Sequence, residues 1–237
     1  MTVAAAPTFT GFKPEAIQFL VDLASNNDRA WFNPRKGEYE RWLKQPLEAL
    51  VTALGAEFAR RGIPLLGDPA RSPFRIYRDV RFSKDKSPYK TNIAASFPWA
   101  EGGSADGPHG FGEEGNPGGY FHMAPGEVFI GGGMWHPSTA KLNAFRRAVV
   151  DDSAGLHAVL DDQAFAKTFG KLSGEEGLKR VPPGYPADHP DAELLKQKNL
   201  TFGRRLADDD VLSPLLVNIV ADSFETAVPV MRYLAQL

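Results

Sequence analysis

Between Gly119 and Trp135 the chain reads Gly-Tyr-Phe-His-Met-Ala-Pro-Gly-Glu-Val-Phe-Ile-Gly-Gly-Gly-Met-Trp. No other stretch restricts the fold as much. Pro125 presets φ at the first central position of a type II turn, and Gly126 accepts the positive φ needed at the second. The flanking runs then read as two strands, and strands joined this briefly pair antiparallel. Gly131, Gly132 and Gly133 would weaken the second strand unless a backbone or a ligand approaches closely. They are expected to form a shallow floor beside Tyr120 and His122.

A second block has the same period of two. Phe74, Ile76, Val80 and Phe82 alternate with Arg75, Tyr77, Asp79 and Arg81, and Lys90 to Phe97 alternates again after Ser87-Pro88. This predicts a hairpin-like pair with a charged tip, its polar face carrying Arg75, Tyr77, Asp79 and Arg81. Asn199 to Leu206 reads as a late strand. Helical spacing surrounds the strands: residues 14–25, a longer stripe from Asn33 to about Arg61 that Pro46 should kink, 138–150, a short helix over 152–165 and about two turns over 191–198. Asp208 to Asp210 start the last helical region, expected to be interrupted near Pro229. The fold class is therefore α+β, a mainly antiparallel sheet of four or five strands with helices packed on one face. Residues 1–237 are expected to form a single domain, with a flexible Gly-rich loop at about 99–119.

Charge narrows the function classes. The formal net charge is −2, which argues against general coating of nucleic acid or an anionic surface. Arg75 to Asn92 nevertheless holds six Lys and Arg against two Asp. The absence of cysteine removes disulfides, thiolate nucleophiles and Cys-ligated metals. The chain shows neither a signal peptide nor a membrane-spanning apolar run, so a cytoplasmic protein with no membrane partner is expected.

In the cationic run, guanidinium forks beside an amide and a phenol suit phosphate or carboxylate. This makes Arg75, Arg81, Lys86, Lys90, Tyr77 and Asn92 the ligand-binding candidates. Alternation puts Arg78 on the core side, where a carboxylate from a helix should pair with it. Arg78, Asp79 and Phe82 are thus structural candidates, Asp79 also neutralising an arginine. Arg146-Arg147 and Arg204-Arg205 are candidates for widening the basic surface. His122, Asp79 and Tyr89 are the candidates for moving a proton, with no matched nucleophile or acid. Gly110 to Gly115 matches G-x-G-x-x-G without the required preceding strand or following helix, so no dinucleotide site is expected. The five histidines show no metal-ligand spacing, and neither a metal nor a cofactor is expected.

Arg75, Arg78, Asp79, Arg81, Phe82, Asp85, Lys86 and Tyr89 match the pattern Arg-x-x-Arg-Asp-x-Arg-Phe-x-x-Asp/Asn-Lys-x-x-Tyr, and the chain resembles the domain of unknown function 2461 family. The likeness extends from Phe9-Thr-Gly-Phe12 and Asn33 through the hairpin to Pro229. It implies a bacterial or fungal family without a defined activity, so these positions carry over as motif residues only. Three readings stay open: a module binding an anionic small molecule or nucleic-acid backbone, an enzyme acting on an anionic small molecule, and a scaffold held by an internal salt-bridge network.

Overall fold

The computed structural model describes residues 8–101, 116–172 and 177–237. The sheet is antiparallel in the order β1 (Ile93–Pro98), β2 (Gly118–Ala124), β3 (Glu127–Met134), β4 (Leu200–Arg205). Ala124 pairs with Glu127 across the Pro125-Gly126 turn, where Gly126 has φ +72°. The expected hairpin and late strand are present. The glycine-rich stretch expected at 99–119 lies mostly outside the described residues, including the rejected G-x-G-x-x-G; its end, Gly118-Gly119, opens β2.

Register sorts the side chains into two faces. One carries the rows Ile93, Met123, Val128 and Phe97, Gly119, Gly132, Phe202. The other carries Ala94, His122, Phe129, Arg205 and Ser96, Tyr120, Gly131, Gly203. The first face is buried. Phe58 of α4 (Gln45–Arg61) meets Phe97 edge-on at 5.4 Å and Phe224 of α10 (Leu216–Ala235) at 5.9 Å. Phe165 and Phe169 of α7 (Gln163–Phe169) lie 5.2 and 4.7 Å from Phe202. A Cβ on Gly119 would come within 3.0 Å of the Phe224 ring, and one on Gly132 within 2.6 Å of the Phe202 ring. Two of the hairpin glycines therefore make room for core aromatics.

The helices follow their punctuation with local differences. α1 (Pro14–Ser25) is as expected, with Ala16, Phe19, Leu20 and Leu23 buried. The next stripe is broken into α2 (Arg29–Phe32), a 3-10 turn, α3 (Lys36–Tyr39) and a π turn over Glu40–Lys44 before α4. Pro46 sits in the first turn of α4, where its missing N–H costs least, and the π turn just before it absorbs the break. After β3 come α5 (Thr139–Asp151) and α6 (Ala154–Leu160), with α7 started separately by Asp162, whose carboxylate accepts from Ala164 and Phe165 N–H. α8 (Ala192–Leu195) precedes β4. The C-terminal break falls between α9 (Asp208–Leu212) and α10, while α10 continues through Pro229. Ala227, Val230, Met231 and Leu234 are buried around it, and this packing outweighs the roughly 3 kcal/mol a helix-interior proline costs.

The block expected as a strand over Phe74–Phe82 is not regular. Ser72 accepts from Ser96 N–H, Phe74 donates to Ala94 O and Tyr77 bridges to Tyr89, so only its first residues follow the edge of β1. Beyond Tyr77 it is a loop closed by its own ion pairs, and Phe82, expected on the apolar side, is 95% exposed.

Gly126 and Gly133 should separate two glycine roles. Gly133 has φ +102°, and a Cβ there would fall on the Leu200 carbonyl oxygen, whereas nothing lies within 4 Å of a Cβ on Gly126. In urea unfolding, Gly126→Ala should cost roughly 1 kcal/mol, for conformation alone. Gly133→Ala should cost about 3 kcal/mol or more, since overlap adds to strain.

Candidate functional site

The cationic run divides into two parts. In the loop, Arg81 forks onto Asp79, with Nη2 to Oδ2 at 2.7 Å and Nε to Oδ1 at 3.0 Å. The guanidinium holds the Asp79 carboxyl down at about 2. Arg78 pairs with Asp85 and reaches Ser87 O at 3.3 Å. Ser87 gives both its hydroxyl, at 2.6 Å, and its N–H, at 2.9 Å, to Asp85 Oδ1. These bonds, the Ser87 hydroxyl first and Arg78 next, hold the Asp85 carboxyl well below the usual range. Lys86 Nζ donates to Val80 O at 2.9 Å. The carboxylate expected from a helix for Arg78 is thus Asp85, seven residues along the same loop. The pair is partly solvated rather than internal, so it orders the loop more than it stabilises the fold.

The second part faces the sheet. Lys90 Nζ lies 5.1 Å from the Phe74 ring centroid, and Phe74 meets Tyr120 edge-on at 6.1 Å. The Tyr120 hydroxyl is 3.3 Å from His122 Nδ1, and Asn92 Nδ2 is 3.4 Å from the same nitrogen. His122 stacks on Phe129 at 4.7 Å, and its pKa is lowered by burial, with Glu127 opposing from a distance.

Arg75 and Lys90 differ from the paired cations, Arg75 acting on the Asp79 carboxyl through space alone. The ion pairs of the run among the described residues are Arg78–Asp85 and Arg81–Asp79, and neither Arg75 nor Lys90 belongs to them. Lys90 is half-buried, and its pKa is lowered first by that burial and then by the like charge of Arg75. Lys90 and Asn92 also line a polar hollow of about 420 Å³ with Asn27, Arg78, Asp85 and Ser87. The Asn27 amide is committed there, exchanging two 3.0 Å bonds with the Tyr89 backbone. A second hollow of about 450 Å³, lined chiefly by apolar residues such as Ile63, Leu65 and Leu66, contains no side chain of the run.

The sheet therefore brings Lys90, Asn92, Tyr120 and His122 together, with Arg75 close in electrostatic reach. Tyr77 is 49% exposed and lies 5.5 Å from Tyr89, away from His122. Tyr89 is buried and stacked on Phe32 at 4.1 Å, which raises its pKa by desolvation and leaves it serving the core. Asp79 is occupied by Arg81. Of the proton-transfer candidates, His122 alone meets Asn92 and Tyr120, while Asp79 feels Arg75 through space. Sequence alternation missed Phe74, read as a core residue; its signal was the Pro73-Phe74 break before the arginines. Arg205 lies on the His122 face, whereas Arg204 shares a row with Ile130 and has a buried Nε without a partner. Arg146 is buried and donates to Leu195 O and Gln197 O, so it joins α5 to the segment before β4 instead of widening a basic surface.

The family model for conserved hypothetical proteins DUF2461 matches residues 15–233. The chain belongs to this family. No curated protein and no solved structure matches it. The matched region includes the whole cationic run, the hairpin and most of α10. Among the described residues no cluster of three His, Asp or Glu side chains could hold a metal, and no helix is long and apolar enough to cross a membrane.

The His122 environment sets a pH dependence. Its folded pKa is depressed, so its contribution to stability is present above the ordinary histidine value and is lost as pH falls through the folded value. The His122 ring should titrate below the ordinary value by NMR. The stability of the protein relative to His122→Phe should fall as pH drops through that titration.

Proposed function

We propose that this DUF2461 protein is a binding module for a phosphoryl- or carboxylate-bearing ligand, held at the cationic edge of the sheet by Arg75, Lys90 and Asn92. The observation that carries this reading is the Arg75–Lys90 pair. Burial, and after it the like charge of Arg75, disfavour the charged form of Lys90. An anion beside Lys90 offsets both effects, and Asn92 adds an amide donor. The chain is read as one domain, supported by a core cluster running from Phe9 to Leu234. Arg81 and Lys86 have secondary roles, since loop groups already engage them.

The same arginines orienting a substrate for proton transfer is the weaker reading. Asp79 is held by Arg81, Tyr89 packs on Phe32, and Glu127 influences His122 only through space.

Calorimetric titration with inorganic pyrophosphate and with citrate at low salt tests the proposal. At least one should bind, more weakly as salt rises. Arg75→Ala and Lys90→Ala should each weaken binding roughly ten- to hundredfold, as expected for lost charge-assisted bonds. Arg81→Ala should change it only a few-fold. Absence of binding at millimolar anion, or indifference to both main substitutions, would refute the assignment.

A further inference from the structure

We propose that the anion recognised at this edge is the backbone of a single-stranded nucleic acid, with the Phe82 ring as a surface on which a base stacks. This rests on the anion-binding reading and names its ligand class. Phe82 is 95% exposed, far more than Tyr77 at 49% or Trp135 at 44%. Its loop is not loose. Arg78–Asp85 and Lys86 to Val80 O tie its two limbs together, while Arg81–Asp79 and the two Ser87 bonds to Asp85 hold each limb. The ring is therefore held out in water by a built loop, where burial gives the fold nothing in return.

Charge and rings are interleaved around it. Arg81 lies 5.9 Å from the Phe82 centroid, Lys84 and Lys86 follow in the loop, and the exposed Tyr77 ring sits between Arg75 and Arg78 in sequence. Phosphates spaced along a single strand match separated cations, and its unpaired bases present open π-faces to exposed rings. A duplex keeps those faces stacked inside. A lipid surface would call for several apolar side chains at one level or a second anchor. Here Phe82 is flanked by Arg81 and Ser83, with Lys84 next, and it is the only large apolar side chain of 78–86 that is mostly exposed.

Fluorescence anisotropy with labelled oligo(dT) and oligo(rU) of about 12 nucleotides tests this, the length following common single-strand site sizes. Binding should be salt-dependent, with Phe82→Ala about tenfold weaker or more and Phe82→Trp retained, its indole emission quenched by the stacked base. Pyrophosphate binding should be unaffected by Phe82→Ala, while Arg75→Ala and Lys90→Ala should weaken both ligands. The exposure of Phe82 makes its replacement harmless to folding, which circular dichroism checks. If pyrophosphate binds but the oligonucleotides do not, or Phe82→Ala leaves their affinity unchanged, this inference is overturned and the anion reading stands. Failure of pyrophosphate, citrate and oligonucleotides alike overturns both. Phe82-dependent binding to phosphatidylglycerol vesicles without oligonucleotide binding overturns the nucleic-acid assignment in favour of a lipid surface.

Discussion

The packing of Phe58, Phe97 and Phe224 is the interaction on which the architecture depends. The three rings come from α4, β1 and α10, and their centroids lie 5.4 to 6.4 Å apart. Aromatic pairs in edge-on geometry add to the area they bury. They also fix orientation: α4 and α10 must lie on the Phe97 side of the sheet, and Gly119 must lack a side chain for Phe224 to approach. With the helices on that side, the row of Tyr120, His122 and Phe129 is left half-buried on the other.

The cationic segment exploits a sheet edge. Its first residues borrow hydrogen bonds from β1, Ile76 to Arg78 pair with Pro88 to Lys90, and the rest is held by ion pairs between near neighbours. Surface pairs of this kind contribute little to global stability, but short loops ordered by several of them lose few conformations when a ligand arrives. Arg78 and Arg81 are thereby used to hold shape. Arg75 and Lys90 lie outside those ion pairs, and Arg75 reaches Asp79 only through space.

Sequence periodicity revealed the elements in which two signals agreed. The β2–β3 hairpin had alternation and a turn with a mechanism; α1 had spacing and a proline in its first turn. The Phe74–Phe82 block had alternation alone, and the Asp79–Arg81 and Arg78–Asp85 pairs offered the chain a local alternative that period counting does not register. The same limit explains Phe82: alternation assigned it to the core, while the ion-paired loop turns it into solvent. Proline signals failed where neighbours compensated, the π turn before Pro46 and the buried residues around Pro229. Family membership was legible from the cationic run, but which of its cations were committed became visible only from distances.

Lys90 is the physical basis of the proposed anion site. Withdrawing an ammonium from water without a carboxylate is unfavourable, and a neighbouring guanidinium makes it worse. The Phe74 ring offsets part of that, since a cation over an aromatic face recovers about 0.5–2 kcal/mol depending on solvation. A lysine pointed fully into water would have avoided the penalty altogether, at no cost to the Phe58–Phe97–Phe224 core on the opposite face. The fold thus keeps a half-buried ammonium whose nearest aromatic support is the Phe74 ring. Under the proposed anion-binding reading, a negative charge beside Asn92 would offset that cost.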